Sequence, residues 1–399
     1  MQEQGDRSGV ESKLGQRVNL SLRRAHSIGD LRTLSCRRLP RCVFDFFDGG
    51  AEDEISLTAN TAAFDRVRLL PRVLANVADV DTGMQLLGAP AAMPLGIAPM
   101  GACGLAWRDA DVAVARAAAA AGVPYTLSSA AHNTIEEVAT KAGGRLWFQP
   151  YMLRQRDVVF RLIERARCAG YEALVVTVDL PVGGKRERDL RNRFTLPFRL
   201  TPRTFLDFAA RPAWSLPMLM RKRPLMGNMV GMDIRTCNAS PGSTVGGGMD
   251  PSFSWTDLQR VRALWPGKLV VKGVLQPADA SRLVSLGCDG IVVSNHGGRQ
   301  LDGASSTFDA LAGVVAAVGS SADVLLDGGV RRGRHIVQAL AAGARSVLVG
   351  RSVLYGLAAG GEPGTARALD ILRDEFIRTL RLCGCRSVTE VDATLLAAR

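Results

Sequence analysis

The stretch GIVVSNHGGRQLD, residues 290–302, joins a short apolar run to a polar loop that contains two adjacent glycines. The run at 290–293 has the length and the β-branched content of a buried strand. In the loop, His296 precedes Arg299 by three positions, and the two glycines between them let a bound group approach the backbone. In parallel β/α barrels the residues just past the carboxyl ends of the strands build the site, so this stretch predicts a fold class and a site together.

The same arrangement recurs along the chain. Helical patterns such as 109–121, 157–169 and 277–286 separate most of the apolar runs, as expected where strands and helices alternate. Eight such strands can close on themselves, so we predict an α/β fold of the (β/α)8 TIM-barrel class. The eight runs are 95–98, 124–127, 146–148, 173–178, 269–271, 290–293, 324–326 and 346–349.

The residue just after each run is polar or turn-forming, which is typical of the site face of a barrel. The longest gap between two of these positions predicts an insertion at 180–253, after the fourth strand. Within it, Thr201-Pro202 predicts the start of a helix over 203–211, and the Gly, Ser and Pro content of 239–252 predicts a loop. The residues after the runs are Pro99, Ser128, Gln149, Asp179, Lys272, Asn295, Asp327 and Gly350.

Outside the barrel, the chain begins with a polar stretch that lacks periodicity. We predict a disordered tail at 1–26 and a helical extension at 27–92 that caps the barrel, with two short helices between 28 and 62. The barrel itself is expected at 93–390.

The composition limits the function classes. The chain has 399 residues, of which 47% are hydrophobic, and this excludes a wholly disordered protein. Its 42 glycines follow no fixed period and its 8 cysteines are few for this length, which excludes collagen-like and disulfide-stapled classes. No apolar run reaches the roughly 18 residues of a membrane-spanning helix, and the N-terminus lacks a secretory pattern. A cytoplasmic location is expected.

The net charge of +12 is concentrated in one segment, since residues 185–223 hold 11 Lys or Arg and 3 Asp or Glu. Such a segment indicates an anionic partner: nucleic acid, a phosphorylated cofactor, an acidic substrate or a lipid surface. Nucleic acid is not expected, because the segment carries no known reading motif and a full set of candidate catalytic residues lies elsewhere.

Several residues at the strand ends have the chemistry of an active site. His296 can carry a proton near neutral pH, and Asp179 can orient its protonated form. Arg299 and Arg186 can bind a carboxylate, and Lys272 suits an electron-rich cofactor. A structural imidazole and a solvated charged face are the alternatives, and the placement of His296 beside Arg299 and two glycines favours the site.

The loops after the last two runs, 327–333 and 348–351, each combine glycine with arginine. Barrels bind phosphate here through backbone N–H groups and a helix N-terminus. Tight turns with solvated arginines would give the same pattern. No metal site is predicted, because Cys383-Gly-Cys385 lacks a second pair of ligands.

Together, SNHGGRQLD, LDGGVRRG (326–333), the Lys-Gly pair at Lys272 and GGAED (49–53) resemble the FMN-dependent L-2-hydroxy acid oxidase and dehydrogenase family. The resemblance covers about residues 28–390. Within the family, KRERDLRNRF (185–194), the stretch at 212–216 and LYGLAA (354–359) are most similar to the mandelate dehydrogenases.

The resemblance implies a (β/α)8 barrel with FMN at its C-terminal face. It implies that the flavin ring lies along the backbone of Pro99, Met100 and Gly101 and contacts the side chains of Ser128, Gln149 and Thr177. It implies that Lys272 stabilises the reduced ring and that Ser294 and Asp327 contact the ribityl chain. It implies that the last two loops hold the phosphate, through Gly328, Gly329, Arg331, Gly350 and Arg351.

The implied reaction is oxidation of an L- or (S)-2-hydroxy acid, aryl or bulky, to the 2-keto acid with two electrons passing to flavin N5. Arg186 and Arg299 would hold the carboxylate, with Tyr151 as a further donor. His296 would take the proton and Asp179 would support the imidazolium. The alternatives are an oxygen-using oxidase of a larger substrate and an L-lactate dehydrogenase.

One position departs from the family. Phe46 stands where a tyrosine usually binds the substrate carboxylate, so one hydroxyl is missing, worth about 0.5–1.5 kcal/mol as an ordinary hydrogen bond. We expect weaker binding or a changed substrate, not an inactive enzyme.

The insertion resembles the family's membrane-binding segment, with apolar residues and bases interleaved over 194–232. This implies peripheral attachment to the inner face of the cell membrane and a quinone acceptor. If the insertion is instead a free lid, oxygen remains an alternative acceptor. The family also implies a homotetramer.

Overall fold

The structure, a computed structural model, describes residues 20–196, 198, 201–220, 226–229 and 248–397. Within them, eight parallel strands close into a barrel in the order β10-β3-β4-β5-β6-β7-β8-β9, which confirms the predicted fold class and all eight apolar runs. The barrel strands are β3 (Leu95–Ile97), β4 (Tyr125–Ser128), β5 (Leu146–Gln149), β6 (Ala173–Thr177), β7 (Lys268–Val274), β8 (Gly290–Val293), β9 (Asp323–Asp327) and β10 (Ser346–Val349).

The helices between the strands form the outer layer, because their apolar stripes pack on the outward-facing strand residues. Their ends carry the expected caps: Thr134, for example, accepts from the backbone N–H of Glu137 at 3.2 Å and the two form a capping box. The barrel helices are α4 (Ala110–Ala120), α5 (Ile135–Ala142), α6 (Arg156–Cys168), α10 (Trp255–Leu264), α11 (Pro277–Ser285), α12 (Thr307–Val318), α13 (Gly333–Ala341) and α14 (Arg351–Leu382).

The N-terminal extension contains three helices where the sequence predicted two: α1 (Ile28–Arg38), α2 (Arg41–Asp48) and α3 (Ile55–Asp65). Leu22 and Ala25 are buried, so the last part of the predicted tail packs on the protein, whereas residues 1–19 lie outside the described residues.

A hairpin of β1 (Met84–Leu86) and β2 (Ala89–Ala91) closes the N-terminal end of the barrel. Leu86 packs inside with Trp147 and other inward-facing residues. The sequence predicted helices in the extension only between 28 and 62, and it did not predict this hairpin. The turn places Leu87 and Gly88 at φ 52° and 80°, and a two-residue turn of this kind is hard to recognise without an Asn-Gly or Asp-Gly pair.

The insertion after β6 contributes the short helices α7 (Glu187–Arg191), α8 (Pro202–Ala209) and α9 (Pro212–Leu219). The predicted start at Thr201-Pro202 is confirmed, since Thr201 caps α8 and Pro202 occupies its first turn. Most of the predicted loop at 239–252 lies outside the described residues. None of the helices in the described part is long and apolar enough to cross a membrane.

Candidate active site

The carboxyl ends of the barrel strands surround an open cavity. Most of the predicted site residues line it. Asp179, Ser128 and Ser294 do not; they stand one layer behind the wall and bond to residues that do. The predicted residues in the wall are Phe46, Pro99, Met100, Gly101, Gln149, Tyr151, Thr177, Arg186, Lys272, His296, Arg299, Asp327, Gly328, Gly329, Arg331, Gly350 and Arg351.

His296, in the loop after β8, is paired with a carboxylate that follows β6, two strands away in the barrel. Its Nδ1 lies 3.0 Å from Oδ1 of Asp179, and its backbone N–H donates to Ser294 Oγ at 3.1 Å. Burial disfavours the Asp179 carboxylate, but the charges of His296 and Lys272 outweigh burial and lower its pKa. The pair is therefore built to keep a negative charge behind the imidazole.

Lys272 is a buried cation between two strand ends. Its Nζ donates to Ser294 Oγ at 2.8 Å and lies 3.0 Å from Oδ2 of Asp327. Burial would lower the pKa of this lysine, but the carboxylates of Asp327 and Asp179 outweigh it and raise the pKa. A positive charge is thus held permanently at the floor of the cavity.

Two guanidinium groups also line the cavity and lie near the ring of Phe46. The Cζ atoms of Arg186 and Arg299 lie 4.9 and 5.5 Å from the ring centroid. Arg186 forms an ion pair with the buried Asp189 at 3.2 Å, and Arg299 donates to the Gly49 carbonyl at 2.9 Å. We call Arg186, Arg299 and Phe46 the carboxylate clamp.

The clamp has two guanidinium groups, and one carboxylate, that of Asp189, is paired with them. Burial, with the nearby cations Arg186 and Arg351, lowers the pKa of Arg299 well below its usual range. Two cations this close repel each other unless an anion neutralises them. A carboxylate placed between them would remove that repulsion, so the clamp suits an anionic substrate.

Three buried polar atoms in the cavity wall have no hydrogen-bond partner among the described residues: Gln149 Nε2, Thr177 Oγ1 and Asp327 Oδ1. Buried donors and acceptors are rarely left unpaired, so these atoms mark where a bound group supplies partners. Together with the Lys272 ammonium they fit a polar-edged ring and a hydroxylated chain.

Residues 35–398 match the family described as FMN-dependent dehydrogenase. The chain belongs to this family. It is accordingly an FMN-dependent 2-hydroxy acid dehydrogenase or oxidase, as the resemblance of its motifs implied.

Among curated relatives, a putative L-lactate dehydrogenase of Mycobacterium tuberculosis is 44% identical over 372 residues, 92% of this chain and 88% of the relative. The (S)-mandelate dehydrogenase of Pseudomonas putida is 41% identical over 370 residues, 93% of both chains. A crystal structure of the monotopic membrane protein (S)-mandelate dehydrogenase has a TM-score of 0.88 and 40% identity, and covers 94% of this chain and 100% of that one.

FMN fits this chemistry. The unpaired atoms of Gln149 and Thr177 and the Lys272 cation suit the edge of a flavin, and the free oxygen of Asp327 suits a ribityl hydroxyl. Beyond it, Gly328 and Gly329 have φ of 91° and 81°, a backbone that favours glycine.

Arg351, predicted as a phosphate ligand, also bonds to the protein backbone. Its guanidinium donates to three backbone carbonyls, those of Phe47 at 3.1 Å, Gly297 at 2.9 Å and Gly49 at 2.7 Å. The side chain therefore fastens the extension to the loop after β8. The N-terminus of α14, which begins after Gly350, adds backbone N–H groups at the same position.

Sequence reasoning missed a buried amide pair that supports the site. Asn60 on α3 donates to Asn295 at 2.7 Å and accepts from it at 2.9 Å. A Cβ at Gly329 would lie 2.1 Å from the Asn60 carbonyl, so Asn60 also shapes the glycine loop. A lone asparagine in a helix gives no signal in one sequence.

Gln300 was also missed, although it lies in the quoted motif. Its Nε2 donates to the carbonyls of Asp179 at 3.2 Å and Val182 at 3.0 Å, and its Oε1 accepts from the backbone N–H of Gly184 at 3.1 Å. Gln300 thereby holds the start of the insertion beside the loop that carries His296.

Proposed function

We propose that this enzyme oxidises an (S)-2-hydroxy acid with an aryl or other bulky side chain, with His296 as the base. The observation that carries the proposal is that His296, with Asp179 behind it, and the carboxylate clamp line the same cavity. A 2-hydroxy acid has both features they would recognise: a carboxylate, and a carbon whose oxidation releases protons.

The substrate carboxylate binds between Arg186 and Arg299 and neutralises their mutual repulsion. Tyr151 also lines the cavity, and burial raises the pKa of its phenol. The phenol therefore stays protonated at neutral pH and is available as a donor to the substrate.

His296 takes up the substrate proton. Since its Nδ1 faces Asp179, the other ring nitrogen, Nε2, is the one available to substrate. The low pKa of Asp179 keeps this carboxylate charged, and the charge stabilises the imidazolium that proton transfer creates. FMN, when bound, accepts the two electrons.

The preference for a bulky side chain is supported by apolar groups in the cavity wall, among them Phe46, Met100, Ala130 and Leu180. Relatives named mandelate dehydrogenase and mandelate oxidase resemble the chain over almost its full length. Relatives named L-lactate dehydrogenase are equally similar, so L-lactate is the second candidate.

Anaerobic stopped-flow reduction of the FMN holoenzyme tests both. We expect fast bleaching of the flavin by (S)-mandelate and slow or no bleaching by (R)-mandelate, L-lactate and glycolate. Faster bleaching by L-lactate would overturn the aryl preference. A holoenzyme that none of the four acids reduces would point to the larger-substrate oxidase.

We further propose peripheral attachment to an anionic membrane through α8 and α9, which would suit a quinone as acceptor. Phe205, Leu206, Leu216, Leu219 and Met220 are exposed there, and the sequence continues with Arg221-Lys222-Arg223. Apolar side chains beside a basic cluster suit the headgroup region of a bilayer.

Neutralising the three bases should abolish co-sedimentation with vesicles that contain phosphatidylserine and leave flavin reduction unchanged. Binding that survives neutralisation and high salt would exclude this surface.

The homotetramer and oxygen as an alternative acceptor stay predictions. Light scattering would measure the oligomeric state, and oxygen consumption would measure the use of oxygen as acceptor.

A further inference from the structure

The insertion reaches into the active site through one aromatic side chain. Phe194, three residues after α7, is buried, and its ring stacks on that of Phe46 with centroids 4.6 Å apart and an angle of 15° between the planes. Phe46 belongs to the carboxylate clamp, so a residue of the insertion touches the clamp directly.

The stack and the two cations share the Phe46 ring. Phe194 lies against one face of this ring, and the Cζ atoms of Arg186 and Arg299 lie 4.9 and 5.5 Å from its centroid. An aromatic face attracts cations through its quadrupole, and the attraction depends on the position of the ring. Fixing the ring plane therefore fixes where the two guanidinium groups stand.

Phe194 is itself held from several directions. Its backbone N–H donates to the Asp189 carbonyl at 2.9 Å, and its ring meets Phe198 edge-on at 5.7 Å. Phe198 in turn contacts Trp214 at 6.1 Å, and the indole N–H of Trp214 donates to the Leu105 carbonyl at 2.6 Å. A row of rings thus anchors Phe194 to the loop after β3.

We propose that Phe194 is a positioning residue for the substrate carboxylate: by stacking on Phe46 it orients the ring that holds Arg186 and Arg299. The inference rests on the proposed function, in which these arginines bind the carboxylate. It predicts that Phe194 matters for anionic ligands, 2-hydroxy acids and 2-keto acids, and has no influence on their neutral esters.

The test compares Phe194→Leu and Phe194→Met with the wild-type FMN holoenzyme. Phenylglyoxylate is titrated into the oxidised enzyme and its Kd is read from the flavin spectrum. We expect its Kd, and the KM for (S)-mandelate, to rise about 2- to 10-fold because one aromatic contact is lost. The kcat should change less than the KM, and methyl mandelate should react as with wild type.

Two controls separate positioning from general damage. Phe205→Leu removes an exposed ring on α8, so it should leave the Kd unchanged, and Phe194→Tyr keeps the stack and should restore wild-type binding. Unchanged Kd values in both the Leu and Met variants, or an equal loss for acid and ester, would overturn the inference. A wild-type enzyme that binds no keto acid would overturn the proposed function as well, and this is seen before any variant is made.

Discussion

The two sides of the active site are built differently. The strand-end side, with Asp179, Lys272, His296 and Asp327, comes from residues at or just past barrel strands, and its charges pair with each other. The clamp side comes from α2, from the insertion and from the loop after β8, and its two cations outnumber the carboxylate beside them. The residues proposed to carry the chemistry thus lie close to the barrel strands, whereas the proposed carboxylate clamp draws Phe46 and Arg186 from segments outside the barrel and Arg299 from the same loop as His296.

The largest effect is expected on the strand-end side. His296→Gln should slow flavin reduction by about 10²- to 10⁴-fold, the usual contribution of a general base, while FMN stays bound. Anaerobic stopped-flow measures the rate and the visible spectrum measures the flavin content. His26→Gln, in the extension, is the control. A rate within tenfold of wild type would show that a group other than His296 accepts the substrate proton.

Lys272 tests whether this side depends on internal charge pairing. Lys272→Met leaves Asp327 and Asp179 without their buried cation, so the free energy of unfolding should fall by about 3 kcal/mol. Lys268, on the same strand, forms an exposed ion pair with Asp289 at 2.8 Å, and Lys268→Met should cost less than about 1 kcal/mol. Urea unfolding compares the two. Equal losses would remove the distinction between a buried and an exposed pair.

The segments under the clamp are joined by Asp48 on α2, which binds Arg32 at 2.7 Å, Arg188 at 3.1 Å and the Tyr355 hydroxyl at 2.7 Å. Burial opposes its charge, but the hydrogen bonds from Arg32 and Tyr355 and the charges of Arg32 and Arg351 outweigh burial and lower the pKa of Asp48 to about 2. A lowered folded-state pKa stabilises the protein above the unfolded value and loses this effect as the pH falls through the folded value.

Asp48→Asn should therefore cost about 2 kcal/mol of unfolding free energy at pH 7, and the difference from wild type should shrink as the pH falls from about 4 toward 2. Urea titrations at several pH values measure it. A difference independent of pH would show that the carboxylate contributes through packing instead of charge.

The smallest effect is expected at the clamp itself. Phe46→Tyr keeps the ring beneath the arginines and adds the hydroxyl that the family usually has, so the KM for the hydroxy acid should fall about 2- to 10-fold. Steady-state kinetics with acid and ester measures it. A rise in KM for the acid alone would show that the phenol disturbs the stack with Phe194.

The two sides also differed in how well the sequence predicted them. His296, Asp179 and Lys272 follow apolar runs, and strand periodicity alone brings such positions to one face. The Phe46–Phe194 stack joins two distant segments outside that periodicity, and only the tertiary packing of α2 against α7 brings them together. The resemblance to the family indicated Phe46 but not its partner. The carbonyls that Arg351 binds could not be predicted for a related reason, because they belong to the distant extension and to the loop after β8.

The amide pair of Asn60 and Asn295 limits where the protein can be truncated. Asn60 lies outside the barrel in sequence, yet it bonds to the residue before His296 and packs against the glycines after β9. A fragment starting at residue 93 would contain all eight barrel strands but would lack this support for two of its loops. The barrel is therefore not an exchangeable module, and any truncation or transplantation should retain the chain from α1 onward.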